Sequence, residues 1–292
     1  MSERVNVVEN NDIIIKIQEG MDSFSKRQKL IAEYILNNYD KAAFMTAAAL
    51  GNEISVSEST VVRFAAELGF DGYQKFQKSL RNFTIEKSTA FQRMEIASRQ
   101  MDEDNVLNSV LKADIGNIIS TMEEIDKNQF EGAVNAVLNA KNIYVMGVRS
   151  ASALSAFLGF YFNLLFENTH VLRSNSAADI FEQILHVKKG DVVIGMSFPR
   201  YSKNTKKALE YASKQGATVI SITDNINSPV VACSDYCMIA RSSMESFADS
   251  LVAPMSVVNA FIAALGMKKK DEVKEIFEKL ENIWDEYEVY NK

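Results

Sequence analysis

From residue 12 to about 84, apolar positions recur every three or four residues without alternation, which predicts a run of short helices. Ser25-Lys26-Arg27-Gln28 has the form of a capping box, and Leu30, Ile31, Tyr34 and Ile35 follow it at helical spacing. A second short helix is expected over 46–52, with Gly51 near its end. Ile54-Ser55-Val56 then makes a tight turn, and Ser57 caps the next helix. In that helix Val61, Phe64, Ala65 and Leu68 fall at i, i+3, i+4 and i+7 and share a buried face. Ser59, Thr60, Arg63 and Glu67 are read onto the opposite face, and Gly69 ends the helix. A following helix, about Gly72 to Phe83, carries Lys75, Lys78 and Arg81 at helical spacing.

Residues 85–140 keep a helical period but are more polar. About 85–103 read as a partly helical linker, and 104–140 as helices leading into a second domain. From residue 141 strand and helix alternate. Strands are expected at Asn142–Met146, His170–Arg173, Asp191–Met196, Ala217–Thr223 and Tyr236–Ala240. Their near-continuous apolar runs suit a parallel sheet covered by helices on both faces. Two helices close the chain, at about Phe247–Leu265 and from about Lys269. The second carries a stripe of Val273, Ile276, Phe277, Leu280, Ile283, Trp284 and Tyr287. That stripe serves either a dimer contact or packing on its own domain. The fold class expected is an all-α N-terminal helix-turn-helix domain followed by an α/β domain with a five-stranded, flavodoxin-like parallel sheet. The divisions are 1–84 for the first domain, 85–129 for a helical linker, 130–270 for the second domain and 271–292 for a C-terminal helix.

The 292 residues suffice for two domains, and a 47% hydrophobic share is that of a globular chain. A net charge of −6 argues against a general nucleic-acid coat but leaves room for a local basic face. Cys233 and Cys237 cannot build a disulfide framework, and with His170 and His186 far apart no metal site is expected. No cofactor is called for. Polar and acidic residues interrupt the N-terminus before a signal-like apolar run develops. The longest apolar stretch, Phe157 to Phe166, is too short to span a bilayer, so no membrane partner and a cytoplasmic location are expected.

Two short helices joined by a tight turn are the arrangement in which the second helix enters the major groove. On this reading Ser57, Ser59, Thr60 and Arg63 meet base edges, and Lys75, Lys78 and Arg81 meet phosphates. A plain solvated face fits the pattern equally, since residues 55–87 hold five basic and four acidic side chains. The run Val56-Ser57-Glu58-Ser59-Thr60-Val61-Val62-Arg63-Phe64, then Leu68-Gly69-Phe70-Asp71-Gly72-Tyr73, closely resembles the N-terminal domain of RpiR-family regulators. The resemblance implies a DNA-binding domain of three to five helices with its recognition helix starting near Ser57.

A second constellation lies in two loops after strands. One is Gly147-Val148-Arg149-Ser150-Ala151-Ser152; the other is Ser197-Phe198-Pro199-Arg200-Tyr201-Ser202, leading through Thr205. Such loops offer N–H groups, hydroxyls and a favourable dipole to an anion. In the strand order 2-1-3-4-5 they would flank the crevice where the connections diverge, with Thr223-Asp224-Asn225 nearby. Position 149 is Arg and position 152 is Ser, so the G-x-G-x-x-G dinucleotide pattern fails. The serines can equally be helix caps.

This half, about 130–270, resembles the SIS (sugar isomerase) domain through Ala217–Asp224, Ser228-Pro229 and Ser234-Asp235. The resemblance implies phosphosugar binding through the loops at Ser150, Ser152, Ser197 and Ser202. The ligand set read from residues and resemblance together is Gly147, Arg149, Ser150, Ser152, Ser197, Arg200, Ser202, Thr205 and Thr223. The second loop departs from the usual Ser-x-Ser-Gly-x-Thr and, with Ser246-Phe247-Ala248-Asp249-Ser250, resembles a subgroup of RpiR-like regulators. Isomerisation would need a general base, for which Glu245, Asp249 and His186 stand available. Glu245 and Asp249 can instead neutralise Arg200 or cap a helix. The function expected is a DNA-binding regulator of carbohydrate genes that senses a phosphorylated sugar or sugar acid, not an enzyme. Its partners would be double-stranded operator DNA, that effector, and a second copy of itself in a homodimer or higher oligomer. The alternative is a phosphosugar isomerase with an accessory helical domain.

Overall fold

The computed structural model describes residues 13–87, 105–173, 176–243 and 248–290. They fall into two compact units, the first holding the described residues up to 87 and the second those from 105 onward.

The first unit is helical: α1 (Ile13–Gly20), α2 (Lys26–Asn37), α3 (Tyr39–Ala42), α4 (Ala47–Glu53), α5 (Glu58–Glu67) and α6 (Tyr73–Lys87). The capping box forms at the start of α2. Ser25 Oγ accepts from the Gln28 N–H, and the Gln28 side chain accepts from the Ser25 N–H at 2.8 Å. The buried stripe of α2 is Ile31, Ala32 and Ile35, while Leu30 is exposed. Phe24, Phe64 and Phe76 meet edge to face at centroid distances of 5.1 and 5.9 Å and tie the turn before α2 to α5 and α6 in one core. Between α4 and α5 the chain turns sharply. Ser55 takes a φ of 57°, and the Val56 N–H donates to Gly51 O at 2.8 Å. A Cβ at Gly51 would lie 2.6 Å from Val56 O, so only glycine lets the two helices approach this closely.

The second unit begins with α7 (Val106–Glu124) and α8 (Lys127–Leu138), then runs β1 (Ile143–Gly147), α9 (Ala151–Leu165), β2 (Thr169–Leu172), α10 (Ala177–Gln183) and β3 (Val192–Met196). It continues with α11 (Lys203–Lys214), β4 (Thr218–Thr223), a 3-10 turn (Val231–Cys233), β5 (Tyr236–Ile239), α12 (Val252–Lys268) and α13 (Lys270–Glu286). The five strands form one parallel sheet in the order β2-β1-β3-β4-β5. Strand side chains alternate between two cores. Ile143, Val145, Val192 and Ile194 pack with α8, α9 and α12, whereas Tyr144, Met146, Val193 and Val219 pack with α10 and α11. Among the described residues, no helix is long and apolar enough to cross a membrane.

Two assignments change. Residues 106–124, read as helical and as part of a helical linker running to 129, form a helix bonded to residues that follow β5. Asn117 Nδ2 donates to Ser243 Oγ at 2.7 Å, and Thr121 Oγ1 accepts from the Arg241 N–H at 2.8 Å. Ser250 Oγ donates to Asp114, and Glu124 pairs with Arg241. The polar residues of this more polar stretch are therefore its docking groups. Next, α12 starts at Val252 rather than near Phe247. Pro254 is tolerated only in a first turn, where its missing N–H has no partner to lose. On α13, Val273, Ile276, Leu280 and Trp284 of the expected stripe are half-buried, and no residue of the helix is fully buried.

Candidate functional site

On α5, Ser57 is the extended N-cap residue, and its Oγ shares hydrogen bonds with Ser59 Oγ at 2.9 Å and Thr60 Oγ1 at 2.8 Å. Ser57, Ser59 and Arg63 are exposed, as a groove-reading face requires. Thr60 is not on that face. It is buried, because positions 60, 64 and 68 form one i, i+4, i+8 row with Phe64 and Leu68. Val62 and Ala66 complete the outward arc instead. Glu67 is exposed and accepts from Gln28 Nε2.

The basic residues of α6 divide. Lys75 and Lys78 are exposed, Lys75 pairing with Asp71 at 2.7 Å and holding that carboxyl below its ordinary range. Arg81 is turned inward instead. Its guanidinium lies 5.0 Å from the centre of the Phe44 ring, and its Nε is buried without a hydrogen-bond partner among the described residues. An arginine stem beside Leu80 packs on the helical core, and the aromatic face takes its charge, so Arg81 is less available to phosphate than the spacing implied.

In the second unit, β1 and β3 lie side by side with Gly147 opposite Met196, so their following loops emerge together at the same edge of the sheet. The chain leaves β1 toward β2 and β3 toward β4, on opposite sides, which makes this the topological switch point. A Cβ at Gly147 would sit 2.4 Å from Ala151 O, so glycine seats the start of α9 against the strand. Arg149 adopts a left-handed φ of 58° and is exposed. Ser150 is exposed and makes no side-chain cap bond, while Ser152 Oγ donates to Arg149 O at 2.6 Å.

Across the crevice, Ser197 is buried, and its Oγ accepts from the Ser202 N–H at 3.2 Å. Ser202 caps α11 by accepting from the Thr205 N–H at 3.2 Å, as its alternative reading held. Arg200 is exposed between them. Thr205 is fully buried, and its Oγ1 has no hydrogen-bond partner among the described residues. Thr223, expected to meet the ligand, is also fully buried. Its hydroxyl donates to Ser197 O at 2.7 Å and lies 2.7 Å from Ser228 Oγ, so it pins the loop rather than lining the crevice.

Sequence reasoning passed over the groups that brace this loop from behind. Tyr201 OH donates to Asp224 Oδ1 at 2.8 Å, and Asn225 Nδ2 donates to Tyr201 OH and to Asp224 Oδ2, both at 2.8 Å. Burial pushes the Asp224 carboxyl above its ordinary value. The Tyr201 and Asn225 donors, its own backbone N–H and the Arg241 charge pull it down. The Thr223-Asp224-Asn225 loop was visible as a neighbour of the crevice; nothing in the spacing paired it with Tyr201. Of the proposed general bases, His186 follows α10 and precedes β3, at the opposite edge of the sheet from both loops. Asp249 is half-buried, and Glu245 lies outside the described residues. Burial pushes both cysteine thiols up to about 11, which disfavours reactive thiolates.

Residues 11–85 match the rpiR-family helix-turn-helix domain, and residues 137–264 match the SIS domain. The chain belongs to the RpiR family. Similar proteins share one or both halves. An HTH-type transcriptional regulator of Caldanaerobacter subterraneus subsp. tengcongensis is 25% identical over 96% of this chain and 99% of its own length. The sugar isomerase domain of an RpiR transcription factor from Sphaerobacter thermophilus is 25% identical, covering 60% of this chain and 97% of that one with a TM-score of 0.57. The Vibrio vulnificus NanR protein, solved in complex with ManNAc-6P, shares the fold at 20% identity over 94% of this chain and 98% of its own, with a TM-score of 0.55. This RpiR-family protein is thus a transcriptional regulator with a SIS domain.

Proposed function

We propose that this regulator reads operator half-sites as a homodimer through α5 and senses a phosphorylated sugar or sugar acid in the crevice between the β1 and β3 loops. The effector half rests on one observation. Arg149, Ser150 and Arg200 are exposed on adjacent loops at the switch point of a parallel sheet, each loop opening a helix. Helix N-termini and hydroxyls suit a phosphate, and two guanidinium groups suit a second anionic group such as a carboxylate. NanR, which has the same fold, was solved with ManNAc-6P, which makes phosphosugars the class to test first. A sensor role fits better than catalysis. His186 stands at the far edge, and Asp224, the buried carboxylate behind the loop, is engaged by Tyr201 and Asn225.

A thermal-shift series of sugar phosphates and phosphorylated sugar acids tests the reading, since a ligand of the folded state raises the melting temperature. Arg200→Gln should weaken a dianionic effector far more than a singly phosphorylated neutral sugar. Equal losses, or tight binding of an uncharged sugar, would show the arginines to be structural. Steady turnover of a bound sugar phosphate would replace the sensor with an enzyme.

A further inference from the structure

The outward face of α5 is not polar throughout. At about 100° per residue, Ser59 and Ala66 lie on its midline, Val62 and Arg63 about 50° to either side, and Glu58 and Glu67 at its margins. The buried side of the helix is complete without Val62: it holds Thr60, Val61, Phe64 and Ala65, with Leu68 at the C-cap. Val62 is 38% exposed. Neither helix formation nor the core accounts for it. A β-branched residue is a poorer helix former than the Ala, Lys or Glu that an exposed position accepts, and here its apolar surface stays in water. A single exposed valine elsewhere on a surface would need no reason. This one stands one turn into the helix that follows the sharp turn at Ser55, beside exposed Arg63, within the helix-turn-helix domain.

We infer that Val62 is a specificity-determining residue of α5 that packs on the C5-methyl group of a thymine in the major groove. The inference rests on α5 as the operator reader proposed above and adds one base preference to it. In the major groove thymine differs from cytosine by its C5-methyl group and by an O4 acceptor in place of the N4 amino donor. Valine has methyl groups and no hydrogen-bonding group. It therefore gains by burying the thymine methyl, and it leaves a cytosine amino group unpaired if that base takes the same place. Both effects favour thymine. The neighbours leave this role to Val62. Ser59 Oγ lies 2.9 Å from Ser57 Oγ and is engaged at the start of the helix. Ala66 has a single methyl and stands a turn farther from the N-terminal end, the end that meets base edges in a helix-turn-helix. Arg63, on the other flank, suits guanine, so the two flanks read different bases.

The test uses the full chain and a duplex that it enriches from a randomised pool. Each thymine of that duplex is replaced in turn by deoxyuridine, which lacks only the C5-methyl group. At one thymine in each half-site the replacement should weaken wild-type binding about four-fold, the worth of one buried methyl. Val62→Ala should lose about the same factor on the thymine duplex and no longer distinguish it from the deoxyuridine duplex, with its far-UV circular dichroism unchanged. Arg63→Ala should keep the thymine preference and relax a different base pair. If wild type ignores every deoxyuridine, or if its preference survives in Val62→Ala, while Arg63→Ala still relaxes one base pair, this inference alone is overturned. A surviving preference together with an altered sedimentation coefficient in Val62→Ala would make this flank a contact between copies of the chain instead. If neither substitution alters binding, or no duplex is enriched, α5 is not the reader and both readings fail together.

Discussion

Asp224 carries much of the order behind the effector crevice, and its surroundings set how it responds to pH. It is buried, accepts from Tyr201 and Asn225, and keeps its proton to a higher pH when folded than when unfolded. Below the ordinary Asp range both states are protonated. Between that range and the raised folded value only the folded state retains the proton, so this residue's contribution to stability falls as pH rises through the window. Asp224→Asn should flatten that decline, read as the denaturant midpoint of the sheet unit from about pH 4 upward. Removing a donor instead leaves a buried carboxylate under-satisfied. Tyr201→Phe should cost about 1–3 kcal/mol in urea unfolding; an unchanged midpoint would mean that water replaces the phenol. The partners Tyr201 and Asp224 are 23 positions apart and on loops, where no periodicity operates. Ser25 and Gln28, three apart within one helical turn, were legible as a capping box because the turn itself brings them together.

At the scale of elements, the helix-turn-helix depends on how closely α4 approaches the residues leading into α5. Gly51 meets the Val56 carbonyl, a backbone atom that cannot rotate away. Gly51→Ala should therefore force the two helices apart and cost about 1–3 kcal/mol, as overpacking of a tight contact does. Thermal melting of the first unit would show it, together with weaker operator binding. An unchanged melting temperature would mean that the turn yields. The buried face of α5 follows from its 3.6-residue period, which is why Val61, Phe64, Ala65 and Leu68 were placed correctly. Thr60 was misplaced because its chemistry is polar while its position, four before Phe64, is interior. Position on the helix outweighs polarity when a neighbouring hydroxyl, here Ser57 Oγ, takes up the hydrogen bond.

Across the whole molecule, the two units have separate cores, so their functions should be separable by substitution. Arg63→Ala on the outward face of α5 should weaken operator binding by about 1–3 kcal/mol and relax preference at one base pair. It should leave any effector-induced thermal shift of the sheet unit unchanged. Full operator affinity in that variant would remove α5 from the interface.

The sequence alone determined what local chemistry and periodicity encode: a run of short helices then five parallel strands, the cap at Ser25, the turn before Ser57, and the two loops after β1 and β3. These are properties of residues a few positions apart, or of apolar runs that only a covered parallel sheet can bury. What only the tertiary structure decided depends on contacts between distant segments. Thr223 became a pin because Ser197 lies at the end of the neighbouring strand, and half-buried Arg81 stacks on an aromatic ring because Phe44 lies within reach of it. The polar residues at 114, 117, 121 and 124 had no partner assigned by sequence spacing; residues 241, 243 and 250, after β5, supply them. A polar group buried by a partner far along the chain has the same local pattern as one left in water, and only the fold distinguishes the two.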